Sequence, residues 1–294
     1  MSLKLTLAIP YLNQLNDTKP VLATFKANTS EETEWLIIDN GSTDPVEEFV
    51  VKYLKPKRMN FIRNENNIGL VKTYQQAYEN CETDILAITH NDVFVFEKDW
   101  DKRIIKYFEE MPDLGGVGFF GSAGCGPFGE RIQDVPMPGM MAGMSNMLEA
   151  EIHGMRLDRD WKPAAIFDGF MMIFRMDMLR KGGGFDLRYK YHHIYDRDAS
   201  LESLRRGYKN IVVNVPCHHM SGLTANRGDY QNWIKDIQKR DDADKFTHDE
   251  NSKLFAEKFK DMLPLYVNDD FSFRTGSSGQ WNFKGDNIKN DKSS

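Results

Sequence analysis

The segment from Asp84 to Phe96 puts a carboxylate where a folded chain has little structural use for one. Apolar, strand-forming residues 85–88 run into Thr89-His90-Asn91-Asp92, and an apolar run resumes at Val93. An ionised group between two buried segments is costly unless something pairs with it. At the mouth of an α/β sheet the same carboxylate is well placed to hold a divalent cation against a phosphate. A helix cap or a turn also favours Asn-Asp, so the neighbouring groups must decide. Asp39-Asn40-Gly41-Ser42-Thr43-Asp44 supplies a second set. Asp39 can hydrogen-bond a base or ribose edge, Gly41 lets a ligand approach the backbone, and Ser42 or Asp44 can cap the next helix. The same hexad is also an ordinary Asp-Asn-Gly turn. Asn66-Asn67-Ile68-Gly69 precedes a helical stretch and by itself reads as a cap.

These groups need elements to position them. Residues 3–9, 35–39, 59–63 and 85–88 read as short strands, the first ended by Pro10. Residues 17–28, 46–54 and 71–80 carry apolar side chains at helical spacing. The alternation implies an α/β fold, a mostly parallel central sheet flanked by helices. Ligands of such sheets bind at the carboxyl ends of the strands. Pro10-Tyr11, Asp39-Asn40-Gly41 and His90-Asn91-Asp92 all fall there, so one pocket can contain all three. Further on, residues 99–111 form a helix, 115–120 a strand, 166–174 a strand, 176–181 a short helix, 198–207 a helix and 211–215 a strand. Residues 121–154 are rich in Gly, Pro and Met, and their Met cluster at 137–147 suits either an adaptable binding surface or plain packing on the core. Beyond residue 224 the chain is polar, with helices at 230–240 and 251–259, and 272–294 reads as a loose tail.

The chain has 294 residues, enough for a sizeable core, and a net charge of −6 that argues against a broad nucleic-acid-binding surface. A phosphate-bearing ligand must therefore be held by local devices: a metal, a helix N-terminus or a few placed cations. Three widely spaced cysteines (Cys81, Cys125, Cys217) make no CxxC pair and point to free thiols in a reducing compartment. The first ten residues are too short and too alternating for a signal peptide, and no apolar run approaches the roughly 20 residues of a membrane helix. A cytoplasmic location is expected.

Taken in order, Ala8-Ile9-Pro10-Tyr11-Leu12-Asn13, Ile37 to Asp44, Asn64 to Gly69 and Ile85 to Val93 resemble the nucleotide-sugar-binding half of family-2 glycosyltransferases of the GT-A fold. Phe167-Asp168-Gly169-Phe170 to Arg175 with Gly184-Phe185-Asp186 is similar to that family's acceptor-side strand and Gly-Phe-Asp turn. Tyr195-Asp196-Arg197-Asp198 with Leu201, then Arg205-Arg206-Gly207-Tyr208, resembles its Glu-Asp-x-Asp-Leu helix ending in Arg-x-Gly-Tyr. The resemblance covers roughly residues 3–222. It implies a GT-A domain over 1–225, divided into a nucleotide-binding half (1–95) and an acceptor half (96–225), followed by a helical extension (226–271) and the tail (272–294).

The same resemblance assigns roles. Asp39 would contact the nucleobase with Pro10 and Tyr11 lining its pocket, Asn67 and Gly69 would lie near base and ribose, and Ser42 and Asn91 join the donor-site set. Asp92 would be the metal-binding carboxylate of an Asp-x-Asp element whose first Asp is His90 here. A histidine nitrogen there suits Mn²⁺ better than Mg²⁺. Asp196 aligns with the catalytic base, although the Glu that usually precedes it is Tyr195; Asp198 is the alternative base. The family often carries a histidine after the strand at 211–215, which makes His219 the third metal ligand, with His218 next. His192 and His193, just before the base, would shape the acceptor site; a zinc site built from His192, His193, His218 and His219 lacks ligand spacing. The function implied is metal-dependent, inverting transfer of a hexosyl-type sugar from a nucleoside-diphosphate donor, UDP-linked, to a hydroxyl on a glycan, lipid carrier or protein. A sugar-nucleotide nucleotidyltransferase is the first rival, but the first-strand loop lacks the Gly and Arg it needs. A catalytically inactive nucleotide- or glycan-binding module is the second, kept open by His90 and Tyr195.

Overall fold

The computed structural model describes residues 2–132, 144–145, 155–220 and 228–275. Most of the Met cluster, the 221–227 connection and the tail beyond 275 lie outside the described residues. The first half alternates as expected: Leu5–Tyr11 (β1), Leu15–Asn28 (α1), Glu34–Asp39 (β2), Val46–Phe49 (α2), Met59–Arg63 (β3), Leu70–Glu79 (α3), Ile85–Thr89 (β4), Val93–Val95 (β5) and Trp100–Glu110 (α4). Strands Leu114–Gly118 (β6), Phe120–Ser122 (β7), Gly124–Cys125 (β8), Arg131–Ile132 (β9), Met144–Ser145 (β10), Met155–Arg156 (β11), Trp161–Pro163 (β12), Ile166–Phe167 (β13) and Met171–Arg175 (β14) follow. The chain closes with Met176–Arg180 (α5), Tyr195–Arg205 (α6), Lys209–Val213 (β15), Cys217–His219 (β16), Gly228–Gln238 (α7), Ala243–Lys258 (α8), Leu265–Val267 (β17) and Phe273–Thr275 (β18).

Eight strands form the central sheet in the order β12-β15-β6-β14-β4-β1-β2-β3. Pairing is parallel through β4-β1-β2-β3 and β15-β6, and antiparallel where β14 and β12 enter. Alternating side chains feed two cores. Leu7, Ile9, Trp35, Ile37, Ile85 and Ala87 pack on one face with Phe25 of α1 and Trp100 of α4. Ala8, Leu36, Ile38, Leu86 and Ile88 pack on the other with Tyr74 of α3, Leu201 of α6 and Phe255 of α8. Strands buried on both faces read as continuous apolar runs, which is how these three appear in the sequence.

Several boundaries differ from the sequence reading. β1 continues through Pro10 to Tyr11, because its pairing with β4 ends at Ala8↔Ile88 and leaves one edge open where the proline falls. The single strand expected over 166–174 breaks at Asp168-Gly169-Phe170; β13 joins a small sheet with β7, and β14 joins the central one. The helix expected from Asp198 begins at Tyr195, behind an Ile194 in left-handed backbone, so Asp196 lies in its first turn. Residues 46–54 are one α-turn followed by a π-turn, Val50–Leu54. Phe273–Thr275, expected in the loose tail, pairs with β17. No disulfide joins the three buried cysteines. No helix among the described residues is long and apolar enough to cross a membrane.

Candidate active site

A cavity of about 290 Å³ opens at the carboxyl ends of β1 and β4, the place where the strand order of an open sheet reverses. Pro10, Tyr11 and Asn67 form one part of its wall; His90, Asn91, Asp92 and His219 form another; Asp168, Gly169, His192, His193, Tyr195, Asp196 and Tyr230 complete the rest.

His219 reaches Asp92 through a small ribbon. After β4 the chain leaves the sheet, and β5 pairs antiparallel with β16 so that His219 lies opposite Val93 and His218 opposite Phe94. Neighbours on a strand face opposite ways. His218 therefore sits against the Phe94 ring, while His219 stacks on Phe170 with Nε2 3.1 Å from Asp92 Oδ1. His90 Nδ1 is 4.0 Å from the same oxygen. Its Nε2 is 3.4 Å from Tyr195 Oη. Ligand atoms of His90, Asp92 and His219 all lie within 4.8 Å of one another. Burial holds the His90 imidazole below its ordinary pKa, which keeps a nitrogen lone pair available. Burial also acts to lower His219, but the hydrogen-bonded Asp92 carboxylate outweighs it and holds that imidazole above the usual value. Two imidazoles and one carboxylate suit a first-row transition ion better than Mg²⁺, which prefers oxygen. The residues fit a divalent cation.

Asp196 is fixed by backbone. Its Oδ2 accepts the Gly169 N–H at 3.1 Å and its Oδ1 the Arg197 N–H at 2.9 Å. Gly169 is required: a methyl there would lie 2.2 Å from Tyr195 Oη. Tyr195, standing where the family's Glu was expected, fills the space between His90 and Tyr74, whose ring meets it edge-on at 5.0 Å. Asp198, the alternative base, is not among the residues that line this cavity and accepts from Lys258 Nζ at 2.7 Å.

Sequence reasoning quoted Asp168 within a motif but gave it no role. It lines the cavity and is ion-paired with Arg131. Burial works against its charge, yet Arg131, with His219, Arg197 and His90 around it, holds the carboxyl below the usual range. The signal was present: Asp168-Gly169 is a polar break between apolar runs, as Asn91-Asp92 is.

The remaining expected residues are held by contacts within the protein. Asp39, Ser42 and Gly69 are not among the lining residues. Asp39 is fully buried, accepts the Ser42 N–H at 2.8 Å and pairs with Arg63. Gly41, at φ +86°, makes room for the Asn66-Asn67 backbone, which an added Cβ would meet at 2.6–2.8 Å. Asp44 does not cap the helix that follows it; it receives the Leu15 N–H at 2.8 Å, at the start of α1, and the Tyr11 hydroxyl at 2.6 Å. Asn67 Oδ1 accepts from Asn40 Nδ2 at 2.7 Å and from the Gly69 N–H at 2.9 Å, which tightens the turn before α3. Asn91 lines the cavity while its Nδ2 donates to Thr18 Oγ1 at 2.9 Å. His192, His193, His218 and His219 do not assemble into one site: the first two meet Asp244 and the last meets Asp92.

A doubly covered sheet with an acidic and imidazole-lined cavity at its switch point defines an open-sheet α/β protein. The family model of glycosyl transferase family 2 matches residues 6–183. The chain belongs to that family. Among solved structures it is similar to GalNAc-T7, determined with UDP, GalNAc and Mn²⁺ (TM-score 0.58, 11% identity, 89% of this chain and 52% of that one). It is also similar to the mannosyltransferase PcManGT of Pyrobaculum calidifontis, in complex with GDP-Man and Mn²⁺ (TM-score 0.55, 15% identity, 88% and 74%). A third is S. aureus TarS 1-349 (TM-score 0.51, 12% identity, 95% and 98%). At such identities these likenesses establish the GT-A fold. The chain spans about half the length of GalNAc-T7. No curated protein matches it.

Proposed function

We propose that this chain is a metal-dependent, inverting glycosyltransferase that moves a sugar, of the hexosyl type, from a nucleoside-diphosphate donor to an acceptor hydroxyl. One observation carries the reading: a single cavity joins Tyr11 and Asn67, the His90–Asp92–His219 group and Asp196. The family supports the class of reaction. Relatives of the same fold solved with UDP and Mn²⁺, or with GDP-Man and Mn²⁺, support a nucleotide-sugar donor and a divalent cation, and we take UDP and Mn²⁺ as the pair.

His90, Asp92 and His219 would hold the ion, which when bound neutralises charge on the departing diphosphate. Asp196 does the remaining proton work. The acceptor oxygen forms its bond to the anomeric carbon as the bond to the diphosphate oxygen breaks and its electron pair leaves with the diphosphate. The hydroxyl proton passes to the Asp196 carboxylate, which must lie within hydrogen-bond reach of that oxygen. A carboxylate offers about four lone-pair sites, so the two backbone N–H bonds to Asp196 orient it and leave room for the acceptor. Asp168 and Arg197 set the field beside it. A glycan, lipid-linked or protein hydroxyl is the acceptor, and the location belonging to this reading is cytoplasmic.

Calorimetric titration with UDP should show binding that needs Mn²⁺ and that Asp92→Ala abolishes; equal affinity in every case would remove the metal assignment. Donor hydrolysis across a panel of UDP- and GDP-sugars should be lost in Asp196→Asn while UDP binding is kept. A fully active Asp196→Asn chain would remove that residue as the base, and no turnover of any donor by the wild type would favour an inactive binding module.

A further inference from the structure

A second group of ligating side chains includes two residues of the cavity wall, where the segment leading to Asp196 meets the C-terminal helices. His192 Nε2 is 2.8 Å and His193 Nε2 is 3.1 Å from one oxygen, Oδ1 of Asp244. The ligand atoms of the three residues lie within 4.8 Å of one another. We propose that His192, His193 and Asp244 form a second divalent-metal site, for a transition ion of the zinc class, separate from the Asp92 site.

The backbone is built to bring these groups together. Neighbouring side chains on an extended chain diverge, yet the His192 and His193 rings lie with centroids 3.5 Å apart. They converge because Tyr191, His193 and Ile194 all adopt left-handed backbone, at φ +59°, +69° and +66°. None is glycine and Ile194 is β-branched, so each position is strained. The surroundings hold the strain in place: Asn251 Nδ2 of α8 donates to the carbonyls of Lys190, His192 and His193 at 3.1, 2.8 and 3.2 Å. Strain of this kind persists where a site depends on it.

The chemistry of the group points the same way. The Tyr230 hydroxyl of α7 is hydrogen-bonded to His192 Nδ1, which leaves Nε2 to face Asp244. A metal-binding histidine characteristically has its other ring nitrogen held in this fashion. Two imidazoles and a carboxylate with further positions open are a zinc donor set. One helical turn beyond Asp244, His248 brings its ring to 5.2 Å from that of His193 and is the next donor at hand. An ion here fastens α7 and α8 to the segment that enters α6 and aims Asp196, and it stiffens the part of the cavity wall made by His192, His193 and Tyr230.

The test uses the untagged full chain, stripped with a chelator and titrated with Zn²⁺ alone, with bound zinc counted by elemental analysis and its effect on melting temperature recorded. The wild type should bind two ions, while Asp92→Asn, Asp244→Asn and His193→Gln should each bind one. Zinc should still raise the melting temperature of Asp92→Asn and should lose at least tenfold in affinity at the second site in Asp244→Asn and His193→Gln. The Asp92→Asn chain decides the matter even if the other variants fold poorly: one retained ion supports the site, and no bound zinc overturns it. Equal zinc content in wild type, Asp244→Asn and His193→Gln would also overturn it.

Discussion

Lys258, the last residue of α8, offers the sharpest test of how the C-terminal helices support the helix that carries Asp196. Its Nζ lies 2.9 Å from Asp186, 2.7 Å from Asp198 and 3.0 Å from Glu202, and its side chain is only 11% exposed. Asp198 and Glu202 are one turn apart on α6, and Asp186 belongs to the Gly-Phe-Asp turn, so a single ammonium ties three elements. Lys258→Met keeps most of the stem volume and removes the charge, leaving three carboxylates with no shared cation. Breaking a buried ionic group by deleting one partner costs about 3–5 kcal/mol, and the loss here belongs in that range at pH 8. The sign of its pH dependence follows from the shifts. Burial raises the Asp198 carboxyl to about 6 even with Lys258 beside it. A raised acid contributes stability that is full below its ordinary value and lost as pH rises through about 6. Asp186 and Glu202 are held below their ordinary values, with Lys258 among the causes, and contribute stability that is lost as pH falls through the folded values. Removing the lysine moves all three carboxyls upward. The variant then gains stability relative to wild type as pH falls, by up to roughly 1.4 kcal/mol per pH unit for each carboxyl that takes a proton. Urea unfolding of both chains at pH 8 and pH 5 measures this. The difference between them should be largest at pH 8 and clearly smaller at pH 5. A loss below 1 kcal/mol, or one that is the same at both values, would refute the network.

Two further substitutions probe the cavity itself. Gly169→Ala forces a methyl to within 2.2 Å of Tyr195 Oη and 2.9 Å of Cζ, against a ring too buried to swing clear. Overpacking of this kind costs about 1–3 kcal/mol, and the N–H that orients Asp196 moves with it, so donor turnover should fall at least tenfold with a lowered melting temperature; unchanged turnover would show that Asp196 does not depend on Gly169. Tyr195→Phe removes the hydroxyl 3.4 Å from His90 Nε2 and leaves the ring packing intact. Loss of such a supporting contact typically weakens a metal site by about 10- to 100-fold, so Mn²⁺-dependent UDP binding should need correspondingly more metal while the melting temperature stays within a degree or two; equal Mn²⁺ dependence would place His90 outside the site.

What was legible in the sequence depended on where each residue's partners sit. Trp35, Leu36, Ile37 and Ile38 announce a strand buried on both faces because burial acts residue by residue, and their alternate distribution between the two cores follows from the pleat alone. Asp92 announced itself as a polar break at the end of such a strand. The same alternation implies that only one of His218 and His219 faces the site, while the pairing of β16 with β5 decides which. The start of α6 was not legible, because Ile194 in left-handed backbone replaces the Ser, Thr, Asp or Asn that normally signals a helix N-terminus. Asp244 was not legible either: its partners precede it by some fifty positions, and the alternation that separates His218 from His219 fails at His192 and His193, where the backbone turns left-handed.

Asp39 shows why position at a strand end does not by itself define a ligand contact. The sequence places it correctly at the carboxyl end of β2. Its two oxygens, however, meet the Ser42 N–H and the Arg63 guanidinium, which donates in turn to the Ser42 carbonyl at 2.7 Å. Arg63 ends β3, directly opposite Asp39 in the register, so the pair is a product of sheet pairing that no local motif reveals. A buried carboxylate needs such a partner. Any base-reading role for Asp39 must therefore use the lone pairs these two donors leave, beside a half-exposed Arg63.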